Sequence, residues 1–120
     1  MAFNWKEFFA LAQYLKTCNG TGFSTEATLR TAIGRIYFTA YALARDFAVS
    51  RHQFVLRRSA DDHASLIRHF KARRAAGIGR DLEDLRNKRN ACDYDELVED
   101  LQSMFEDAIE VFETFEGKLR

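Results

Sequence analysis

The sequence predicts an all-α fold, an antiparallel up-and-down bundle of four to five helices with short connections. Three observations predict it. Proline is absent from all 120 residues, so nothing forces a kink and long helices are permitted. Every long segment repeats its apolar residues at spacings of three and four. No segment alternates with period two for long enough to make a strand.

The first helix is expected over about residues 4–17, where Trp5, Phe8, Phe9, Ala12 and Leu15 form one stripe. "CNGTG" ends it, with a glycine, Gly20 or Gly22, as the left-handed cap. Ser24 is a favourable N-cap for a long second helix over about 25–49, and Glu26 sits where the helix dipole favours a negative charge. Leu29, Ile33, Ile36, Tyr37, Ala40, Leu43, Ala44 and Phe47 share one side of that helix. Its small residues, Ala32, Gly34, Ala40, Ala42 and Ala44, permit close approach by a neighbour. The basic stretch "SRHQFVLRR" either extends this helix or forms a loop.

"SADD" has the spacing of a capping box, with Ser59 as cap and Asp62 three residues on. It opens a third helix through about residue 74, with Ala64, Ile67 and Phe70 inward. "AAGIG" breaks that helix, its glycines reading as a hinge too short for a phosphate loop. A fourth helix is expected over about 79–91 and a last one over about 94–118. The last carries the strongest periodic signal: Leu97, Leu101, Met104, Phe105, Ala108, Ile109, Phe112, Phe115 and Leu119. With 11 Phe in the chain, this helix is expected to supply core and a dimer interface.

Length and composition fit a single globular domain. Two distant cysteines make no disulfide framework, and no His or Cys cluster has zinc spacing. His63 and His69 lie about 240° apart around a helix and cannot share a metal, so surface or capping roles suit them. Neither metal nor cofactor is expected. The apolar run at the N-terminus is interrupted by Lys6 and Glu7, which fits neither a leader nor a membrane span, so a reducing cytoplasm is the expected location.

The net charge of zero hides an asymmetry. Residues 51–90 hold 11 basic and 5 acidic groups, whereas residues 91–120 hold 2 basic and 10 acidic ones. Either two solvated faces neutralise each other, or the chain offers a basic surface to a phosphate-bearing partner.

The chemistry concentrates in "LRNKRNACDYD", residues 85–95. Ile78, Leu82, Leu85, Arg89 and Cys92 are spaced 4, 3, 4 and 3, so Arg89 continues an apolar stripe. A cation there pairs with a buried carboxylate such as Asp93 or Glu96, faces a second subunit, or lines a pocket. Arg86, Asn90 and Asp93 form the neighbouring row. "DYDE" has cap-like spacing, which puts Tyr94 in the first turn of the last helix and lets Arg89, Asn90 and Tyr94 converge in a helix-junction notch. Cys92, on the inward face, reads as packing.

Two segments together resemble the HEPN family, the small helical domain found beside minimal nucleotidyltransferases and in prokaryotic toxin–antitoxin pairs. "LRTAIGRIYFTAYALARDF" is similar to that family's long second helix. "LEDLRNKRNACDYD" is similar to its signature, an Arg followed by a polar residue, spacers and usually a His. The resemblance covers most of the chain. It implies a homodimer whose paired Arg motifs face each other across a composite cleft that binds RNA or nucleotide, within a toxin–antitoxin or defence module. It further implies a minimal nucleotidyltransferase as antitoxin partner, and metal-independent ribonuclease activity in many members. By position, Arg89 is the motif Arg, Asn90 the polar residue after it, and Tyr94 stands where the His usually is. Arg86, Lys88 and Arg35 are the accompanying phosphate contacts. A phenol is almost wholly protonated at neutral pH and does not replace an imidazole as general base, although it hydrogen-bonds phosphate and stacks on bases. The motif therefore supports binding better than cleavage. The alternative is a catalytically silent helical partner of a separately encoded nucleotidyltransferase.

Overall fold

The computed structural model describes residues 2–18 and 22–119. Among these residues there are five α-helices and no strand: α1 (Lys6–Lys16), α2 (Thr25–His52), α3 (Asp62–Lys71), α4 (Ala76–Tyr94) and α5 (Leu101–Lys118). The all-α bundle expected from the periodicity is the fold that forms.

Helix α2 is its axis. The Ser24 hydroxyl accepts a hydrogen bond from the Ala27 N–H at 3.0 Å, so the predicted N-cap is in place. Ala32, Ala40, Ala42, Ala44 and Ala48 are fully buried, and side chains this small let α1, α4 and α5 all pack on α2. Leu29, Ile33, Ile36 and Tyr37 fill the spaces between them. Helix α5 contributes Phe105, Ala108, Phe112 and Phe115, all buried. Phe9 of α1 stacks on Phe112 at 4.3 Å between ring centroids. Each such ring contributes about 1.5–3 kcal/mol by leaving water. These phenylalanines are taken up by the chain's own core and leave no Phe face on α5 for a partner.

Four boundaries differ from the sequence expectation, each for a physical reason. Helix α2 runs on to His52 and ends where Gln53 turns left-handed (φ 56°). The stretch after it is non-helical and is pinned by the buried Asp62, whose carboxylate accepts from the N–H groups of Arg57 (3.1 Å) and Ser59 (3.3 Å). Asp62 thus reaches back as in a capping box, although the regular helix begins only at Asp62 itself. Helix α3 stops at Lys71, and Gly77 and Gly79 lie inside α4 and form no hinge. Gly79 is there for proximity: a Cβ on it would stand 2.8 Å from Lys71 Cγ and 3.0 Å from the Ile67 carbonyl oxygen of α3. Of the two candidate cap glycines, Gly20 lies outside the described residues, and Gly22 adopts a left-handed φ of 93°.

The fourth difference matters most for function. Helix α4 continues to Tyr94, and α5 starts only at Leu101, after a left-handed Asp100 (φ 48°). "DYDE" therefore starts no helix, and Leu97 is 77% exposed, outside the apolar stripe assigned to it. The cause is Arg30 of α2. Its guanidinium donates to the carbonyl oxygens of Cys92 (2.8 Å), Asp95 (2.6 Å) and Glu96 (2.9 Å). These are the acceptors a helix C-terminus leaves unsatisfied, so Arg30 holds the end of α4 and the turn beyond it against α2.

The acidic block of α5 neutralises part of the basic surplus directly, as Lys88 pairs with Asp107 at 2.7 Å, and it also holds Lys6 of α1 through Glu116 at 2.6 Å. Among the described residues no helix is long and apolar enough to cross a membrane.

Candidate functional site

Ile78, Leu82, Leu85 and Cys92 of α4 are buried, as their spacing requires. Arg89, on the same stripe, is not sealed in. Its side chain keeps 34% exposure and forms a network along its own helix. Nε pairs with Asp93 Oδ2 at 2.9 Å, one turn on, and Nη1 donates to Asn90 Oδ1 at 3.1 Å. Of the carboxylates that could answer Arg89, Asp93 does so, while the Glu96 carbonyl is bound by Arg30.

Arg89, Asn90 and Tyr94 line one open depression on the outer surface of α4, together with Arg86. Tyr94 reaches it from the last residue of α4, not from the first turn of α5, and is 75% exposed. Arg86 has no carboxylate within ion-pair distance among the described residues. Lys88 faces the other way, held by Asp84 and by Asp107 of α5.

Arg89 also borders a second space, a cleft of about 220 Å³ between α2, α3 and α4. Thr31, Gly34, Arg35 and Tyr37 of α2, His63 of α3 and Asp93 of α4 line it too. Gly34 opens this cleft: a Cβ there would meet only Arg89 Cγ, at 4.0 Å. Arg35 is held between the rings of Phe8 and Phe38, its guanidinium carbon 5.0 and 5.2 Å from their centroids, with no carboxylate partner among the described residues. Arg89 alone, among the described residues, lines both the depression and the cleft.

His63 was assigned a surface or capping role by sequence, and its actual place is the main feature that reading missed. Its Nδ1 is hydrogen-bonded to the Tyr37 hydroxyl, and its ring lies flat on Tyr41, 3.9 Å away and 9° from parallel. Burial lowers the imidazole below its ordinary pKa, and the Arg86 and Arg89 guanidiniums lower it further. Burial also raises the Tyr37 phenol well above the ordinary range, so it stays protonated. No spacing rule joins positions 37, 63 and 89. The only available signal was a histidine directly after a capping aspartate, on a helix that had to dock somewhere.

The other histidines pair with each other. His52 Nδ1 and His69 Nε2 are 2.9 Å apart, bringing the end of α2 to α3. Cys92 packs against Met104 with 3.9 Å between sulfurs, and burial pushes its thiol up to about 11, which suits packing and disfavours a thiolate. Among the described residues no three His, Cys, Asp or Glu side chains gather as metal ligands.

No family model, no curated protein and no solved structure matches the chain.

Proposed function

We propose that this chain is a HEPN-like protein of a toxin–antitoxin or defence module, and that it binds RNA or a nucleotide through Arg89, Asn90 and Tyr94. Arg86 and Arg35 are its further phosphate contacts, and the working form is a homodimer with two Arg89 sites. One observation carries this reading: Arg89 lies between an open depression and a cleft, flanked by two guanidiniums that have no carboxylate partner among the described residues. Half-buried cations without a carboxylate partner are costly, and a bound phosphate offsets that cost with charge-assisted, bidentate hydrogen bonds. Tyr94 stands at the rim with its ring free to stack on a base.

The test is Arg89→Ala with a fluorescent single-stranded RNA in an anisotropy titration. Affinity should fall about tenfold or more, and the slope of log K against log salt should shrink by about one. Unchanged affinity and slope in a folded variant would remove Arg89 from the site.

A second reading has an observation of its own. The bonds from Arg89 to Asp93 and Asn90 can be purely structural, as expected of a catalytically silent partner of a minimal nucleotidyltransferase. On that reading Arg89→Ala lowers the melting temperature and leaves RNA affinity where it was.

A further inference from the structure

We propose that His63 is a catalytic residue of the Arg89 site: its Nε2 accepts the proton of a ribose 2′-hydroxyl when RNA lies in the cleft between α2, α3 and α4. The inference rests on the RNA-binding reading above. It supplies, from α3, a proton acceptor that the phenol of Tyr94 does not provide.

Four observations support it. First, His63 and Arg89 line the same cleft, so a nucleotide gripped by the guanidinium is within reach of the imidazole. The cleft volume of about 220 Å³ suits one sugar–phosphate unit and is too small for most drug-sized ligands. Second, the imidazole is held by contacts that fix its orientation. Tyr37 holds Nδ1 and Tyr41 stacks on the ring, which leaves Nε2 as the free nitrogen. Nε2 has no hydrogen bond among the described residues. Since no buried side-chain nitrogen or oxygen among them lacks a partner, Nε2 is not sealed in the core.

Third, Tyr37 is a suitable partner for a base that changes protonation. A phenol both donates and accepts. It stays bonded to Nδ1 in either tautomer of the neutral ring, and it accepts from Nδ1–H once Nε2 takes up a proton. Fourth, the surroundings favour a neutral ring in the resting protein. Burial, Arg86 and Arg89 on α4 and Arg45 on α2 all disfavour the imidazolium, opposed by Asp62 on α3. A phosphate drawn in by Arg35 and Arg89 offsets that positive field. The imidazole then becomes more basic just when substrate is bound.

The step balances. The 2′-oxygen bonds to phosphorus and the bond from phosphorus to the 5′-oxygen breaks, giving a 2′,3′-cyclic phosphate and a 5′-hydroxyl end. The 2′-hydroxyl proton goes to His63 Nε2. The departing 5′-oxygen takes a proton from solvent, and His63 then returns its own to solvent, with no oxidation and no net proton change. The guanidinium of Arg89 offsets charge that grows on the phosphoryl oxygens.

The experiment uses His63→Asn in the full chain. An Asn amide can keep a hydrogen bond to the Tyr37 hydroxyl while removing Nε2. Cleavage of a fluorescent single-stranded RNA is followed under single-turnover conditions from pH 5 to 9, and binding of the same strand with 2′-deoxy sugars is measured in parallel. The variant should cleave about 10²–10⁴-fold more slowly and lose the acidic limb of the pH–rate profile. Its affinity for the deoxy strand should stay close to that of the unaltered protein. Cleavage by the variant at the full rate overturns the role of His63 and leaves RNA binding standing. So does an unaltered protein that binds RNA without cutting it. An unaltered protein that neither binds nor cuts overturns both readings.

Should His63→Asn fail to fold, nitrogen NMR of the unaltered protein decides. Saturating inorganic phosphate should raise the His63 pKa. An imidazole that ignores phosphate overturns the proposal.

Discussion

Arg89 shows how one side chain holds two roles in tension. Its pair with Asp93 spans one turn of a partly exposed stretch of helix, a geometry that contributes about 0.3–0.5 kcal/mol. That is too little to account for a cation placed on an apolar stripe. It is also weak enough for a phosphate to displace. The prediction at this scale is Asp93→Asn. Stability should drop by less than about 1 kcal/mol, as for any exposed pair. RNA affinity should rise about twofold or more, because a competing carboxylate is gone. A urea midpoint and an anisotropy titration measure the two quantities, and a fall in RNA affinity would mean that Asp93 positions Arg89 for binding. Arg89 itself was legible from spacing: the step from Leu85 to Arg89 to Cys92 is that of an inward face. The pairing with Asp93 was legible too, as one of the carboxylates within reach. The commitment of Lys88 to Asp107 was not, because it depends on which face of α5 meets α4.

At the scale of elements, the misplaced ends of α4 and α5 trace to Arg30. Local cues in "DYDE" favour a new helix start. Three charge-assisted hydrogen bonds from α2 outweigh them and carry α4 on to Tyr94. Bonds of this kind contribute about 1.5–3 kcal/mol each in favourable cases, more than the ~1 kcal/mol typical of a capping side chain. Arg30 lies 62 residues before Cys92, so no window along the chain could have shown the effect. Arg30→Ala should lower stability by about 2–4 kcal/mol. It should also expose the Asp95 amide, now bonded to the Ala91 carbonyl at 2.9 Å, to fast hydrogen exchange. Arg30→Lys should rescue little, since a point ammonium cannot reach three carbonyls in a fork. If Arg30→Ala leaves exchange at Asp95 slow, the end of α4 holds by itself and local propensity was the better guide. His63 was hidden for a similar reason. Its partners Tyr37 and Tyr41 are on another helix, and only the docking of α3 on α4 turns an apparent surface histidine into a cleft residue.

Across the whole molecule, all three histidines have imidazoles lowered below their ordinary value, in each case first by burial. Arg73 adds to this at His52 and His69, and Arg86 and Arg89 at His63. The sign follows from proton counting. With the folded pKa below that of the unfolded chain, the unfolded state binds more protons as pH falls. The stability these neutral rings support is complete above about pH 6.5, the ordinary histidine value, and drains away as pH falls through the lower folded values. The His52–His69 bond sharpens the loss. One ring nitrogen must donate and the other accept, so a doubly protonated pair sets N–H against N–H at 2.9 Å. That pair closes the end of α2 onto α3 beside Phe47, Phe54 and Phe70, so protonation acts where three aromatic rings meet. Melting temperatures should therefore be flat from pH 8 to 7 and decline steadily from 6.5 to 5. His69→Gln, whose amide both donates and accepts at any pH, should make that decline shallower. A melting temperature that rises from pH 7 to 5 would overturn the assignment of the acid response to the three histidines.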